Sequence, residues 1–237
     1  GTQPIVGSQI NLKAHDIVGK VTLYAKTEKG YKNLTKLSSL SFINSKATEE
    51  PSCEIKELID NNNDLILLTG SYRDFFGKLF EKNKIKDLNE NIFQLKKIFE
   101  DRIYLEIQRH NEESEKNFEA YILNNSKLFN IPLIATQEVF YLNKEMYEAH
   151  DALVCIKDKN FVEDQNRARL SDQHYLKKDI ELKNLYSDIP EALENNYNFH
   201  LRFNFKPKKS KPILPSIANN NSNLPEDELF NQAKEGL

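Results

Sequence analysis

The chain has only two cysteines, Cys53 and Cys155, among 237 residues. Two thiols cannot build the disulfide framework that holds a small secreted domain together, so the fold has to rest on a hydrophobic core. No apolar run approaches the roughly 18 residues that a membrane-spanning helix needs, and no signal peptide is recognisable. These absences predict a cytoplasmic protein with no membrane association.

The chain also lacks a strong charge of either sign. Lysine and arginine together number 33, aspartate and glutamate number 36, and the formal net charge is -3. Such a chain has no general positive field that would attract nucleic acid, so any contact with DNA has to be local. The candidates for a local contact with phosphate are Lys206, Lys208, Lys209 and Lys211. A solvated linker is the alternative interpretation of this lysine cluster.

Two common catalytic signatures are absent. Gly70 and Gly77 bracket the sequence SYRDFF without the Lys-Ser or Lys-Thr pair of a phosphate-binding loop. No Gly-x-Ser-x-Gly motif occurs, and Cys155 lies in an apolar, helix-like segment where burial is the usual role of a cysteine. The sequence therefore indicates neither a nucleotide cradle nor an activated serine or cysteine.

Short apolar segments, rich in Ile, Val, Leu and Tyr, alternate with amphipathic ones. The apolar segments predict strands at residues 4–12, 20–26, 64–70, 103–108 and 131–136. Apolar spacings of three and four predict helices at residues 31–44, 88–99 and 113–129. This alternation indicates an α/β fold with a largely parallel sheet or barrel and with helices outside it.

A domain boundary is predicted near residue 205. Residues 207–215 combine prolines with lysines, and the following segment has Pro225 and three acids in the first turn of a predicted helix. We expect residues 1–205 to form one domain, and residues 206–237 to be a basic, proline-rich linker with the first helix of a further domain. The chain opens directly on a strand after Gly1, so we also expect units of the first domain to precede it.

Eight motifs occur in an order that is typical of one family. They are GTQPIVGSQ, GYKNLTKL, DLILLTGS, DRIYLEIQRH, IPLIATQEVFYL, EAHDALVCI, DIPEALENN and QAKEGL. Together they resemble the N-terminal polymerase and histidinol phosphatase (PHP) domain of the alpha subunit of bacterial DNA polymerase III, truncated at both ends. The resemblance covers almost the whole chain. It implies an incomplete, distorted TIM-like β/α barrel, with about five of its seven strands present and the first two upstream of Gly1.

The resemblance also implies which positions would bind metal. Metal-dependent members of the superfamily hydrolyse phosphate esters with two or three metal ions, which activate water and neutralise phosphoryl charge. At the ligand positions of the family this chain has other residues, namely Gln9, Lys20, Ser71, Gln137 and Phe140. Only His110 and Glu138 keep the chemistry of a metal ligand, and one histidine with one carboxylate makes a weak site.

Among the other four histidines, His174 and His200 lie on segments where no acids converge in the sequence. His15 lies between two predicted strands and is expected in a solvated loop, and His174 and His200 are assigned no role. His150 and Asp151 are neighbours in a helix-like segment. We interpret this pair as part of a helix start, with the orientation of a metal ligand as the alternative.

Two functional hypotheses follow from the resemblance. The first makes the chain part of the alpha subunit of the bacterial replicative polymerase, a DNA-directed DNA polymerase that uses Mg²⁺. This region would then be a catalytically inactive structural and subunit-interaction module without a cofactor of its own. Its partners would be the remaining polymerase domains, a proofreading exonuclease subunit and, through the polymerase, DNA. The second hypothesis is a metal-dependent phosphoesterase or 3′–5′ exonuclease that binds Zn²⁺ or Mn²⁺ once N-terminal ligands complete its site.

Overall fold

The computed structural model describes residues 1–164, 166–167, 169–209, 211–212 and 224–236. The chain divides into two compact units, Gly1–Lys206 and Pro207–Leu237. The second unit has one helix among its described residues, α9 at Pro225–Glu235. The assignment of residues 206–237 to a linker and a following domain stays a prediction, and residues 213–223 of that segment lie outside the described residues.

The first unit contains a sheet with the strand order β3-β1-β2-β4-β5-β6. Its strands are β1 at Val6–Ala14, β2 at Ile17–Ala25, β3 at Cys53–Glu54, β4 at Leu65–Leu68, β5 at Ile103–Ile107 and β6 at Leu133–Ala135. The sheet is open, with β3 and β6 at its two edges. The predicted α/β class is confirmed, and an open sheet of this kind is consistent with an incomplete TIM-like barrel.

The expectation of a largely parallel sheet is wrong for the first strands of the chain. β2 pairs antiparallel with both β1 and β4, whereas β1–β3, β4–β5 and β5–β6 are parallel pairs. His15 and Asp16 form the turn between β1 and β2, with φ angles of 52° and 60°. Positive φ at both turn residues gives the twist that joins antiparallel strands directly. Both residues are exposed, as expected for His15.

Helices account for most of the remaining first unit. They are α1 at Glu28–Ile43, α2 at Ile55–Asp60, α3 at Phe75–Glu81, α4 at Ile85–Phe99, α5 at Glu115–Phe129, α6 at Tyr147–Asp158, α7 at Asp179–Leu185 and α8 at Pro190–Asn198. Two 3-10 turns lie at Lys144–Met146 and Phe199–Arg202. The three helices predicted from periodicity correspond to α1, α4 and α5. None of the described helices combines the length and the apolar character that crossing a membrane requires.

The central strands are buried on both faces, against different partners. Alternate strand residues such as Leu67 and Leu105 belong to the main core, which the helices share. The residues between them, such as Leu68 and Tyr104, pack in a smaller cluster with Phe203. β4 and β6 are therefore continuous apolar runs, and β5 is interrupted only by Glu106. β1 alternates between buried and exposed positions along much of its length, so that one of its faces stays open.

Gly19 of β2 permits the close approach of α3, which a larger residue would prevent. A Cβ atom at Gly19 would lie 2.5 Å from the Cα and 2.6 Å from the backbone nitrogen of Phe75. Because backbone atoms of a packed helix cannot rotate aside, we expect Gly19→Ala to lower the free energy of unfolding by about 2 kcal/mol. Gly7→Ala is the matched control, since the two atoms nearest to its Cβ would belong to the side chain of Tyr24 and not to a helix backbone. Urea denaturation measures both variants, and equal losses of stability would contradict this explanation.

Candidate functional site

Polar side chains meet where β4, β5 and β6 end. The loops that follow these strands comprise residues 69–74, 108–114 and 136–143. Because the three strands are parallel, their carboxyl ends lie at the same edge of the sheet. The loops surround two features, an open cavity beside Glu106 and a buried cluster around His110.

The cavity has a volume of about 580 Å³ and mostly polar walls. Four of the residues singled out from the sequence line it, namely Gln9, Gln137, Glu138 and Phe140. The structure therefore brings together residues from β1 and from the loop after β6, as the resemblance implied. The amide oxygen of Gln137 is buried and has no hydrogen-bond partner among the described residues.

Two other predicted positions lie elsewhere. Lys20 is exposed on β2 opposite Asn11, two residues along the strand from Thr22, which does line the cavity. Ser71 donates from its Oγ to Oδ2 of Asp74 at 2.9 Å, and its backbone N–H donates to the same oxygen at 2.8 Å. Ser71 therefore orders the start of α3, and Lys20 is not part of the cavity.

Glu106 of β5 is the buried acid of the cavity, with 6% of its surface exposed. Its carboxylate accepts from the backbone N–H of Gly70 at 2.9 Å, from Nε2 of Gln108 at 3.0 Å and from the hydroxyl of Thr136. Burial raises the pKa of Glu106 and the charge of Asp74 raises it further, although the hydrogen bonds oppose this shift. Sequence reasoning missed Glu106. A single acid inside a strand with two buried faces was the available signal.

His110 follows β5, is 3% exposed, and has a partner for each ring nitrogen. Nδ1 lies 3.2 Å from Oε1 of Glu115, and Nε2 accepts the backbone N–H of Glu138 at 3.3 Å. A nitrogen that accepts carries no proton, so the ring is neutral with its hydrogen on Nδ1. Burial lowers the pKa of His110, in keeping with a neutral ring, although the Glu115 carboxylate opposes the shift.

His174 lies flat against His110, with ring centroids 4.0 Å apart and planes that differ by 3°. Its Nδ1 is 3.0 Å from the carbonyl oxygen of Glu138, and its Nε2 is 3.3 Å from Oε1 of Glu112. Both partners are acceptors, so the ring of His174 donates a hydrogen bond to at least one of them. The neighbouring His174 also contributes to the lowered pKa of His110. The sequence assigned His174 no role, and the structure places it in the cluster around His110.

Two carboxylates organise the loop between β5 and α5. Glu115 accepts the backbone N–H of His110 at 2.9 Å from each oxygen, and that of Glu112 at 3.1 Å. Burial would raise the pKa of Glu115, but its hydrogen bonds with His110 and the backbone lower it overall. Glu112 accepts from the hydroxyl of Tyr72 and from the guanidinium of Arg73, with Nε at 3.1 Å. The loops after β4 and β5 are thereby joined.

The side chains around His110 are not arranged to bind a metal ion. The Nε2 lone pair is occupied by the Glu138 N–H, and no described hydrogen bond joins His110 to the Glu138 carboxylate. Across the described ranges, no three His, Cys, Asp or Glu side chains converge as possible metal ligands. A metal would first have to displace the Glu138 N–H. Metal binding by His110 and Glu138 stays a prediction.

The remaining predicted residues lie on surfaces or in helices. The four lysines proposed to contact DNA, Lys206, Lys208, Lys209 and Lys211, are exposed, and their contact with DNA stays a prediction. His150 and Asp151 lie in the first turns of α6, where the ring of Phe140 stacks on His150 with centroids 5.2 Å apart. Arg167 forms a buried ion pair with Asp151. Cys155 is buried, as the sequence predicted.

Comparison with known proteins gives two findings. Residues 1–110 match the PHP domain family. The whole chain is similar to DNA polymerase III subunit alpha, at 33% identity over 247 residues in Caulobacter vibrioides, 35% over 239 residues in Rickettsia conorii and 30% over 241 residues in Vibrio cholerae. Each alignment covers 100% of this chain but only 21%, 20% and 21% of these relatives, respectively. The chain thus spans about a fifth of their length, and the resemblance inferred from the motifs is confirmed.

The raised pKa of Glu106 predicts a dependence of stability on pH. A carboxyl whose pKa is higher in the folded state than in the unfolded state stabilises the fold at low pH. This contribution to stability is lost as the pH rises from the unfolded pKa, about 4.3, through the folded pKa. Glu106→Gln replaces the carboxyl by a group that does not ionise, so this variant does not lose stability in that way. We therefore expect its unfolding free energy, relative to the unaltered chain, to increase progressively as the pH is raised from about 4 to about 8.

The control for this measurement is Glu138→Gln, because Glu138 lines the same cavity but is partly exposed. We expect the difference between this variant and the unaltered chain to change less with pH. Urea denaturation at several pH values gives both curves. A Glu106→Gln difference that stays constant with pH would show that burial does not govern this carboxyl.

Proposed function

Since residues 1–110 are a PHP domain and the chain is similar along its whole length to about a fifth of the DNA polymerase III alpha subunit, we propose that it is part of a bacterial replicative polymerase. In this proposal the longer protein performs DNA-directed DNA synthesis in chromosome replication. Polymerisation needs carboxylates that hold Mg²⁺ around the incoming nucleotide, and these would lie outside this region. The support is an identity of 30–35% with relatives of that name in distinct bacteria.

Within that polymerase we assign this region a structural and subunit-interaction role. The observation that carries the assignment is the neutral, doubly hydrogen-bonded ring of His110. A hydrolytic metal centre requires several anionic or imidazole ligands around open coordination positions. Gln9, Gln137 and Phe140 offer no charge to a metal, and the lone pair of His110 is already used. The strand ends are thus better suited to holding loops in place than to chemistry.

Ion pairs extend this structural role to the outer helices. Arg109, next to His110, binds Glu119 of α5 through Nε at 3.0 Å and Asp188, which precedes α8, through Nη2 at 2.8 Å. Its guanidinium also lies over the ring of Tyr186, 5.1 Å from the centroid. A side chain that joins three segments in this way fixes the surface they form. A fixed surface is what a subunit-interaction module has to present.

The partners in this proposal are the remaining domains of the polymerase chain, a proofreading exonuclease subunit and DNA. The exposed lysines at residues 206–211 support a local contact with phosphate, because each adds a positive charge without a nearby acid in the sequence. The net charge of -3 limits any such contact to a local one.

Hydrolysis is the second candidate function, and one observation favours it. The cavity at the strand ends contains Glu106, a buried acid with a raised pKa, and such acids are common among catalytic groups. In this candidate, Zn²⁺ or Mn²⁺ would be held by His110 and Glu138 together with ligands from other parts of a longer protein.

Calorimetric titration of Zn²⁺ and Mn²⁺ into a longer protein that contains this chain, and that can supply the remaining ligands, distinguishes the two candidates. We expect no metal binding that depends on His110, because the Nε2 lone pair of its ring is occupied by the Glu138 N–H. His110→Ala should therefore leave the titration unchanged. His200→Ala is the matched control, since His200 is exposed and lies outside the cluster. Binding at a Kd of about 1 µM, near -8 kcal/mol, that is lost in His110→Ala and kept in His200→Ala would favour hydrolysis and contradict the structural assignment.

A further inference from the structure

A second cavity, with a volume of about 640 Å³, lies beside helix α6, and we call it the α6 cavity. One of its walls is a stripe of helix residues at spacings of three and four, namely His150, Leu153, Val154 and Lys157. The loops after β4 and β6 and the segment after α6 complete the lining. A cavity of this volume suits a compact ligand and is too small for a helix or a long extended chain.

The lining of the α6 cavity carries more positive than negative charge. Its cations are Arg73, Lys157 and Arg169, and among the described lining residues only Asp151 is an acid. Both terminal nitrogens of Arg167 already bind the Asp151 carboxylate, and Nε of Arg169 lies 3.4 Å from one of its oxygens. One carboxylate cannot neutralise two guanidinium groups. One positive charge of this group is therefore uncompensated.

Lys157 adds a second uncompensated charge. It is exposed in the last turn of α6, and no ion pair joins it to a residue that the structure describes. Arg73, in contrast, is balanced by its ion pair with Glu112. The whole chain has a formal net charge of -3, so this local excess stands out against an acidic background. Such a cavity attracts an anion.

The other walls of the α6 cavity are apolar and include flat rings. Phe140 is 45% exposed, and its ring stacks on His150 with planes 22° apart. The guanidinium of Arg169 lies over the ring of Tyr147, 5.3 Å from the centroid. Leu153 adds an exposed aliphatic side chain. Nucleobases stack on such rings and guanidinium groups, and Arg and Lys bind their phosphates. An acidic peptide would use the charges without the flat surfaces.

We propose that the α6 cavity binds a nucleoside phosphate, with the base against the rings and apolar side chains and the phosphate against Lys157 and Arg169. A free nucleotide and one nucleotide of single-stranded DNA present this same chemistry. The α6 cavity is separate from the cavity beside Glu106, although Phe140 lines both. The proposal goes beyond the structural role and depends neither on a metal nor on the identity of the longer protein.

A ligand-detected NMR titration of the 237-residue chain with thymidine 5′-monophosphate tests the proposal. We expect a Kd of about 1 mM, with the base protons in closest contact with the protein. Thymidine, which lacks the phosphate, should bind at least about tenfold more weakly. No binding of the monophosphate at about 10 mM, or equal binding of thymidine, would overturn the proposal.

Two pairs of variants test whether the ligand occupies the α6 cavity. Lys157→Glu and Leu153→Glu change its lining, and each should raise the Kd about tenfold. Lys159→Glu and Ile156→Glu are the matched controls, because they place the same charge on nearby exposed residues outside the lining. They should change the Kd less than about twofold, and circular dichroism shows that each variant is folded. Unchanged binding in folded Lys157→Glu and Leu153→Glu would overturn the site.

An oligonucleotide of thymidine distinguishes the two sources of the ligand. Binding at least about tenfold tighter than that of the monophosphate, and weakened by Lys157→Glu, assigns the cavity to single-stranded DNA. Binding no tighter than that of the monophosphate assigns it to a free nucleotide. An oligonucleotide that binds the unaltered chain and Lys157→Glu equally well is held elsewhere, and this result would overturn DNA as the ligand of the cavity.

Discussion

The strand-end region depends on the stack of His110 on His174. Two buried imidazole rings at a centroid distance of 4.0 Å need an acceptor for every N–H. Glu115 and Glu112 meet these needs, together with the backbone of Glu138. The acceptors come from the loops after β5 and β6, and His174 itself comes from a more distant segment. The stack therefore fixes three separate parts of the chain in one arrangement.

The fold was predictable where the signal is local. β4, β5 and β6 are short runs that are apolar except for Glu106, and α1, α4 and α5 are long enough to show helical periodicity. The antiparallel β2 was not predicted as such, because its turn consists of His15 and Asp16 without the glycine that usually identifies a two-residue hairpin. The two-residue β3 exists only through its pairing with β1, between Cys53 and Leu12, and has no local signal.

The residues of the site also divide into those that the sequence located and those that it did not. Motif comparison located Gln9, Gln137, Glu138 and Phe140, which the fold gathers around one cavity. Motif comparison also selected Lys20, which does not line the cavity. Lys20 lies two residues along β2 from Thr22, and that distance moves its side chain away from the cavity. The contact of His174 with Glu112 was unpredictable, since the two residues are 62 positions apart in the chain and meet only in the tertiary structure.

We propose that hydrogen bonds within the chain take the place of a metal at the strand ends. Long-range ¹H–¹⁵N NMR of the histidine rings near neutral pH tests it most directly, because nitrogen shifts report which ring atoms carry protons. We expect a neutral His110 with its hydrogen on Nδ1, because Nε2 accepts the backbone N–H of Glu138. A His110 ring with its hydrogen on Nε2, or with hydrogens on both nitrogens, would contradict this arrangement.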